Sequence, residues 1–374
     1  MSIFLGVITF LYVFLLLFLL YGFKKLPLFF GKNTAPITGF SIIIPYRNEA
    51  ENLPQLLNSL KHLSYRKDLF EIILVNDGSE DTSEGICKNF AEENPELHLK
   101  LLQNVRTTGS PKKDALTTGI KSAENEYILT TDGDCRVPKN WLRELNVAIL
   151  ETGAKMIAGP VAPVPKKGFL NSFQELDLFS LQAATIGGFG VDIPFMCNGA
   201  NFCYSKKAFL KVNGFDGNSS IASGDDIFLL EKFRKEGYKT TFLKSKAAIV
   251  HTALQPTWRD LLSQRIRWAA KTSAYKNFFG KAVGLTVLLM NIGLVVTFLG
   301  FASGFFASNL LIIPFLLKFN IDFIMILSGA RFFGRENAMK NYFFSSLIYP
   351  FFSSYVAILS LFTGYHWKGR RFKK

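Results

Sequence analysis

Long apolar segments at the two ends of the chain constrain its fold more than any other feature. Residues 1–23 carry no charged side chain, and neither do the 36 consecutive residues 282–317. A helix of about 20 apolar residues can cross the hydrocarbon core of a bilayer. The run at 282–317 is too long for one such helix, so we expect two, near 282–302 and 309–330, before a further apolar stretch at 342–363. The sequence therefore predicts four candidate membrane spans.

The first apolar segment is expected to stay in the protein as an anchor over residues 1–25. A cleaved signal peptide, the alternative, would carry a basic region before its apolar run and a cleavage site of small residues, and the sequence shows neither. Lys24, Lys25 and Lys32 follow the segment. Because basic residues favour the cytoplasmic side of a membrane, the region that follows is predicted to face the cytoplasm.

Basic charge accumulates beside the apolar segments. The chain has 43 Lys and Arg against 29 Asp and Glu, a formal net charge of +14, and the ten basic residues after position 280 meet only Asp322 and Glu336. This placement favours contact with a membrane surface over binding to nucleic acid. The four cysteines show no CxxC spacing, which excludes a disulfide scaffold.

The C-terminal membrane segments are expected within 282–365, before a basic tail at 366–374, and they leave alternatives open. If 342–363 crossed the membrane fully, the tail would lie outside, against the charge rule. Pro350 in this stretch cannot donate a backbone hydrogen bond, so a re-entrant segment is the preferred prediction and a fourth full span the alternative. Lys318 and Asp322 lie four residues apart in the preceding segment; they fit either a neutral pair at the interface or a functional site.

Residues 36–275 are predicted to form one α/β catalytic domain whose last helix lies at the membrane surface. Three runs rich in β-branched residues predict buried parallel strands, at 40–46, 70–77 and 126–134. Helical patterns lie between them, at 49–62, 80–93 and 111–123. Strands that alternate with helices indicate a parallel sheet, and ligands bind beyond the carboxyl ends of its strands.

Carboxylates at those strand ends indicate a divalent-metal site. Asp77 follows the second strand, and Asp132 and Asp134 follow the third with one glycine between them. Mg²⁺ and Mn²⁺ prefer oxygen ligands and complete their coordination with substrate phosphates. A DxD string also occurs in solvated turns, which is the alternative. Its position after a third strand, with Asp77 at the second, favours the metal site.

Four motifs in order resemble a membrane-anchored family 2 glycosyltransferase of the GT-A (nucleotide-diphospho-sugar transferase-like) fold, over roughly residues 38–275. They are IIIPYRNEAENL from residue 42, VNDGSEDTS from 75, DGD from 132, and GDD from 224 followed by QRIRW from 264. The tail Trp367-Lys368-Gly369-Arg370 resembles that of lipid-modifying members. The resemblance implies an α/β domain with flanking transmembrane helices that transfers a sugar with inversion.

The resemblance also implies donor-binding residues. The nucleotide base and ribose would be lined by four residues after the first two strands: Pro45, Tyr46, Glu49 and Asp77. Asp132 and Asp134 would hold Mn²⁺ or Mg²⁺ and the diphosphate, with Asp134 as the more direct metal ligand. Lys112 stands at the lysine of the family's G-K-x-x-A-L segment, although Pro111 replaces its usual glycine. A donor contact and a surface lysine at a helix start both stay open for Lys112.

Two further groups complete the predicted site. Asp225 and Asp226 stand where the family has an acidic pair, which implies Asp226 as the base that takes the acceptor's proton, supported by Asp225; surface acids are the alternative. Gln264, Arg267 and Trp268 share one helix face by their spacing. Arginine there can bind the leaving diphosphate and tryptophan can stack on the acceptor.

These features favour a non-processive, metal-dependent inverting glycosyltransferase in the cell membrane, a multi-pass protein with its catalytic domain in the cytoplasm. It would move a sugar from a UDP- or GDP-sugar onto a lipid or lipid-linked acceptor, with no nucleic acid or obligate protein partner. A processive polysaccharide synthase shares QxxRW and is the alternative, although it would normally need more spans. A scaffold would not need the placed carboxylates, and a transporter would lack the large α/β region. His251 fits either a metal ligand or a packed side chain.

Overall fold

The computed structural model describes residues 2–31, 34–219, 221, 223–271, 275–368 and 370–372. The helices, in chain order, are α1 Ser2–Lys25, α2 Leu53–Lys61, α3 Ser83–Glu93, α4 Pro111–Ser122, α5 Trp141–Thr152, α6 Phe169–Gly190, α7 Lys206–Lys211, α8 Asp225–Lys235, α9 Trp258–Ala270, α10 Phe278–Ala302, α11 Asn309–Phe333 and α12 Tyr342–Phe362. The strands are β1 Phe40–Tyr46, β2 Phe70–Asn76, β3 Leu99–Gln103, β4 Tyr127–Thr130, β5 Cys135–Arg136, β6 Met156–Ala158, β7 Val161–Pro163, β8 Phe202–Ser205, β9 Thr240–Phe242, β10 Val250–Thr252, β11 Tyr365–Trp367 and β12 Arg370–Phe372. Four residues of the predicted basic clusters and tail motif lie outside the described residues: Lys32, Gly369, Lys373 and Lys374.

The chain divides into two compact units, each described by itself. The α/β unit contains Pro27–Val164 and Met196–Ala253, and the helical unit contains Met1–Leu26, Pro165–Phe195 and Leu254–Lys374. The segment 36–275 therefore contributes residues to both units, since α6 and α9 belong to the helical one. Its role as a single catalytic domain stays a prediction.

The α/β unit is built on a seven-stranded sheet with the order β3-β2-β1-β4-β8-β6-β9. Strands β1 to β4 run parallel, and β8 is antiparallel to both β4 and β6. The predicted α/β class with a largely parallel sheet is confirmed. A second sheet of three short strands, in the order β5-β10-β7, follows the turn after β4.

Strands β1 and β2 lie at the centre of the core because both of their faces are covered. Every side chain of β2 is buried, as is every one of β1 except the half-buried Pro45. Ile42 and Ile72 belong to one apolar cluster with Leu129 of β4 and Trp141 of α5. Strands buried on both sides carry continuous apolar runs, which is why the predicted bounds of these two strands nearly match the observed ones.

Within the parallel strands β1 to β4, two features differ from the sequence-based expectation. The third predicted strand ends at Thr130 instead of 134, because the DGD residues form the turn that leads to β5. No strand is predicted at β3, which pairs with β2 at the edge of the sheet. Its side chains are half-buried or exposed and include Lys100, so it lacks the continuous apolar run that marks its neighbours.

The helical unit contains the apolar helices expected from the sequence. Four helices of the described chain are long and apolar enough to cross a membrane: Ser2–Lys25, Phe278–Ala302, Asn309–Phe333 and Glu336–Phe362. The last of these consists of a short 3₁₀ helix at Glu336–Asn341 followed directly by α12. The re-entrant form preferred for 342–363 is wrong, because α12 is one continuous helix with Pro350 inside it. Its 21 residues correspond to about 31 Å, so the length fits the alternative of a full span.

Lys318 and Asp322 form the predicted contact on α11, in the interior of the helical unit. Lys318 is only 5% exposed. The Tyr12 hydroxyl of α1 donates to Asp322 Oδ1 at 2.6 Å, and Lys318 Nζ lies 5.2 Å from the Tyr12 ring centroid and 5.5 Å from that of Tyr349 on α12. The pair thus joins three helices.

Helices α1 and α6 pack closely through glycines. A Cβ added at Gly22 would overlap the backbone oxygen of Gly187, and one added at Gly190 would overlap the oxygen of Gly22. Residues without a side chain let two helix backbones approach, and such small residues are typical of interfaces between apolar helices. The sequence pattern predicts no helix at α6, although this helix is a main partner of α1.

We expect Gly22→Ala to destabilise the helical unit and Gly6→Ala to leave it unchanged or slightly more stable. Alanine favours a helix over glycine by about 1 kcal/mol at either position, but only Gly22 meets a neighbouring backbone, whereas a Cβ at Gly6 has nothing within 4 Å. Overpacking of this kind typically costs about 1–3 kcal/mol. Thermal unfolding of the purified protein in detergent measures the difference, and equal midpoints for both variants would contradict the packing argument.

Candidate active site

The predicted nucleotide residues meet at the carboxyl ends of β1 and β2. The backbone N–H of Asp77 donates to Tyr46 O at 2.9 Å, which keeps the two strand ends together. Glu49 follows β1 and packs against the DGD turn, since a Cβ added at Gly133 would lie 3.0 Å from Glu49 Cγ. Pro45 lies opposite Val75 in the sheet register. Parallel topology therefore brings these sequence-predicted residues to one edge.

Asp77 is held by residues that the sequence motifs do not identify. Asn104 Nδ2 donates to its Oδ1 at 2.7 Å, and Arg106 Nε donates to the same oxygen at 2.8 Å. Arg106 Nη2 and Arg47 Nη1 also donate to the Asp77 carbonyl, at 2.8 and 3.0 Å. Asn104 and Arg106 follow β3, the strand that the sequence does not reveal, so their approach to Asp77 could not be predicted.

Tyr46 is buried at the end of β1, and its hydroxyl group hydrogen-bonds with the Cys87 thiol of α3. Burial raises the pKa of Tyr46 above its ordinary value and raises the pKa of Cys87 to about 11. Both groups are therefore neutral at physiological pH. The predicted role of Tyr46 at the nucleotide stays a prediction.

Lys112 joins the DGD motif to the acidic pair of the predicted base. Its Nζ lies 2.7 Å from Asp132 Oδ1 and 3.4 Å from Asp225 Oδ2. Burial alone would lower the pKa of Lys112, but the charges of Asp132 and Asp225 outweigh burial and raise it above its ordinary value. The ammonium group is therefore charged and lies among the carboxylates, unlike the surface lysine of the alternative.

Asp225 and Asp226 open helix α8, whose N-terminal dipole favours negative charge. Asp226 Oδ2 accepts a hydrogen bond from the Gly199 backbone N–H at 3.2 Å, and its Oδ1 accepts one from Ile227 N at 2.8 Å. A Cβ at Gly199 would lie 3.0 Å from Asp225 Oδ2 and 3.6 Å from Lys112 Nζ. Glycine at position 199 thus leaves room for the acids and the lysine to share one small space.

The donor chemistry of the DGD residues fits a divalent cation bound together with a phosphate. The Asp132 side chain is 36% exposed, and Thr252 Oγ1 donates to Asp134 Oδ2 at 3.5 Å. Mg²⁺ is commonly bound by one or two carboxylates plus substrate phosphates. His251 precedes Thr252 in β10, but among the described residues no group of three or more His, Cys, Asp or Glu side chains is placed to hold a metal alone.

The QxxRW residues lie on α9 in the helical unit. The residue between them, Arg265, is buried, and its Nε donates to Asp177 Oδ2 of α6 at 2.6 Å. The same guanidinium contacts Gln264 Oε1 and lies 4.2 Å from the Trp268 ring centroid. Arg267 lies two positions further along the helix and therefore on a different face. Asp177 belongs to the unpredicted helix α6, so its ion pair could not be expected from the sequence.

Two protein-family models match overlapping parts of the chain and together cover most of its length. Residues 41–212 match the model of glycosyl transferase family 2. Residues 127–361, more than half of the chain, match that of glycosyl transferase family group 2. The second match extends from β4 through all three C-terminal apolar helices.

Curated relatives and a solved structure agree with these families. An undecaprenyl-phosphate 4-deoxy-4-formamido-L-arabinose transferase of Pseudomonas savastanoi pv. phaseolicola is 34% identical over 33% of this chain and 35% of its own. A poly-β-1,6-N-acetyl-D-glucosamine synthase of Staphylococcus aureus is 25% identical over 63% of this chain and 55% of its own. The chain thus spans about half or less of these relatives. The mannosyltransferase PcManGT from Pyrobaculum calidifontis, solved with GDP-Man and Mn²⁺, shares the GT-A fold, with a TM-score of 0.59 and 16% identity over 96% of this chain and 98% of its own.

We expect Arg265→Met to destabilise the helical unit strongly. Loss of one partner of a buried ion pair leaves an uncompensated charge, here on Asp177, and typically costs about 3–5 kcal/mol. Arg259→Met is the matched control, because Arg259 lies exposed on the same helix. Thermal unfolding in detergent should show a large drop for Arg265→Met alone, partly recovered when Asp177→Asn is added. Similar midpoints for the two arginine variants would show that the pair is not important for stability.

Proposed function

The chain belongs to the family 2 glycosyltransferases, and we propose that within this family it transfers a sugar, with inversion, from a UDP- or GDP-sugar to a lipid or lipid-linked acceptor. The observation that carries the proposal is the cluster of Asp132, Lys112, Asp225 and Asp226. It joins a predicted diphosphate site to a predicted base in one space. A transfer reaction needs both groups within the length of one sugar ring.

The donor nucleotide would bind at the ends of β1 and β2. Asp77 would accept hydrogen bonds from the ribose or base, with its carboxylate already held by Asn104 and Arg106. Pro45, Tyr46 and Glu49 would line the rest of this pocket. Fixed side chains reduce the conformational entropy that is lost when a ligand binds.

The diphosphate would bind beside the DGD turn with Mn²⁺ or Mg²⁺ held by Asp132 and Asp134. A bound cation supplies positive charge that offsets the charge of the leaving nucleoside diphosphate. The GDP-Man and Mn²⁺ bound to PcManGT support this choice. The ammonium group of Lys112 adds positive charge at the same place. Arg267, with Gln264, would bind the leaving group from α9, where Trp268 would stack on the acceptor.

The acceptor hydroxyl would attack the anomeric carbon while Asp226 takes its proton. The new glycosidic bond forms as the bond to the diphosphate oxygen breaks, and the nucleoside diphosphate leaves with that electron pair. Asp226 suits this role because its carboxylate is oriented by the N–H groups of Gly199 and Ile227. Asp225 would support it through the contact with Lys112.

The lipid acceptor and the membrane location rest on the helical unit. Four apolar helices are long enough to span a bilayer, and one relative is named for an undecaprenyl-phosphate substrate. We place the chain in the cell membrane as a multi-pass protein with the α/β unit in the cytoplasm. The match to a poly-β-1,6-N-acetyl-D-glucosamine synthase favours a processive polysaccharide synthase as the second candidate.

Membranes that contain the protein, given radiolabelled UDP- and GDP-sugars in turn, should incorporate label into the lipid fraction with one donor. Excess EDTA should abolish incorporation, and Mn²⁺ or Mg²⁺ should restore it. Asp134→Ala should lower activity at least about 100-fold, while Asp68→Ala, at an exposed aspartate of the same unit, should not. Full activity in chelator would contradict the metal assignment. Chromatography that shows a ladder of products instead of one sugar per lipid would favour the synthase.

Asp226→Asn should lower the turnover of the transfer by about 10²–10⁴, because it removes the general base while it preserves the side-chain shape. Metal-dependent binding of UDP or GDP should remain within about twofold of wild type, since the amide leaves the diphosphate site intact. Steady-state kinetics and nucleotide calorimetry measure the two effects separately. Turnover near that of wild type would assign the role of base to Asp225 or another group.

A further inference from the structure

Lys113, the neighbour of Lys112 on α4, is a buried lysine that belongs to none of the sequence motifs with a predicted role. It is 2% exposed. Its Nζ donates to Asn218 O at 2.7 Å and to Ile221 O at 2.9 Å, and it lies 5.1 Å from the centroid of the Phe228 ring. An ammonium group removed from water is costly unless donors and charge are satisfied. An apolar residue of similar volume would fill this position without the desolvation cost of a buried ammonium group. The lysine at this position therefore indicates a role for its charge and its donors.

The partners of Lys113 flank the acidic pair on both sides in the sequence. Asn218 and Ile221 precede Asp225 in a turn closed by the bond from Ile221 N to Asn218 O at 3.1 Å. Phe228 follows Asp225 by three residues on α8 and is buried. A backbone carbonyl oxygen can accept two hydrogen bonds. The Lys113 ammonium donates to Asn218 O, which also accepts from Ile221 N, and to Ile221 O.

We propose that Lys113 is a positioning residue for the acceptor-activation step, and this inference rests on the proposed function. It holds the chain on either side of Asp225 and Asp226, while Lys112 on the same turn of α4 contacts Asp225 and Asp132 directly. Two adjacent lysines thus link α4 to the base and to the diphosphate site. A reacting group displaced by about 1 Å can cost 10²-fold in rate, so loss of Lys113 should slow transfer without weakening the binding of the donor.

The test compares Lys113→Met with Lys121→Met in the full-length protein in detergent. Lys121 lies exposed on the same helix, so the control makes the same substitution without a buried contact. Lys113→Met should lower kcat about 10- to 100-fold with the KM for the donor sugar within about twofold of wild type. Hydrogen exchange should rise in the peptide 213–224 and stay unchanged in β2.

Three results would overturn the proposal. The first is a kcat and an exchange profile equal to those of Lys121→Met. The second is loss of Mn²⁺-dependent UDP or GDP binding in parallel with kcat, because that would mean a general structural role. Lys113→Gln, whose amide is uncharged and one bond shorter, covers the case in which the methionine variant does not fold. It should also lower kcat and raise exchange in 213–224, because it cannot replace the ammonium group that reaches Asn218 O and Ile221 O. The third result is a kcat and an exchange profile equal to those of wild type in this variant. If wild type labels no lipid from any donor, the proposed function fails. Raised exchange in 213–224 of the Lys113 variants would still establish that Lys113 holds this segment in place.

Discussion

The contact of one lysine with two carboxylates is the interaction on which the candidate site depends. Asp132 and the adjacent pair Asp225-Asp226 come from two distant parts of the chain and carry like charges that repel each other at close range. Lys112 Nζ lies within 3.4 Å of both Asp132 and Asp225, so the assembled site has a counter-ion before any ligand arrives. In the proposed reaction, a donor diphosphate and a cation would then exchange contacts with groups that are already in place, instead of drawing two mutually repelling segments together.

The sheet determines which residues can meet at Lys112. Parallel β1, β2 and β4 end at the same edge, so the residues that follow them must lie close together, and α4 begins beside that edge because it packs on β1 and β2. The antiparallel strand β8 brings Gly199, which precedes it, to the same place. The site therefore follows from strand direction more than from any local sequence preference.

The sequence predicts the part of this arrangement that depends on local patterns. β1 and β2 are continuous apolar runs, and the DGD and GDD acids stand in recognisable motifs, so their places could be predicted. Strand β3 is not predicted because it is an exposed edge strand, and helix α6 is not predicted because it mixes apolar with polar residues. Because β3 and α6 are not predicted, the contacts of Asn104, Arg106 and Asp177 cannot be predicted either, since their partners lie far away in the chain. The sequence predicts a re-entrant segment in place of the continuous helix α12 because Pro350 removes one backbone hydrogen bond. The other hydrogen bonds of a long helix compensate for that loss.

Polar contacts give the helical unit a defined arrangement that apolar surface alone would not. Apolar helices in lipid gain little by exchanging lipid contacts for contacts with each other, so small residues and hydrogen bonds determine which faces meet. Asp177 accepts from Arg265 of α9 and, at 3.2 Å, from Tyr349 of α12, whose ring lies beside the Lys318–Asp322 pair of α11. Each of these contacts is lost if one helix rotates about its axis. The helix that carries the QxxRW residues is therefore fixed in rotation by the same polar side chains that hold the apolar helices together.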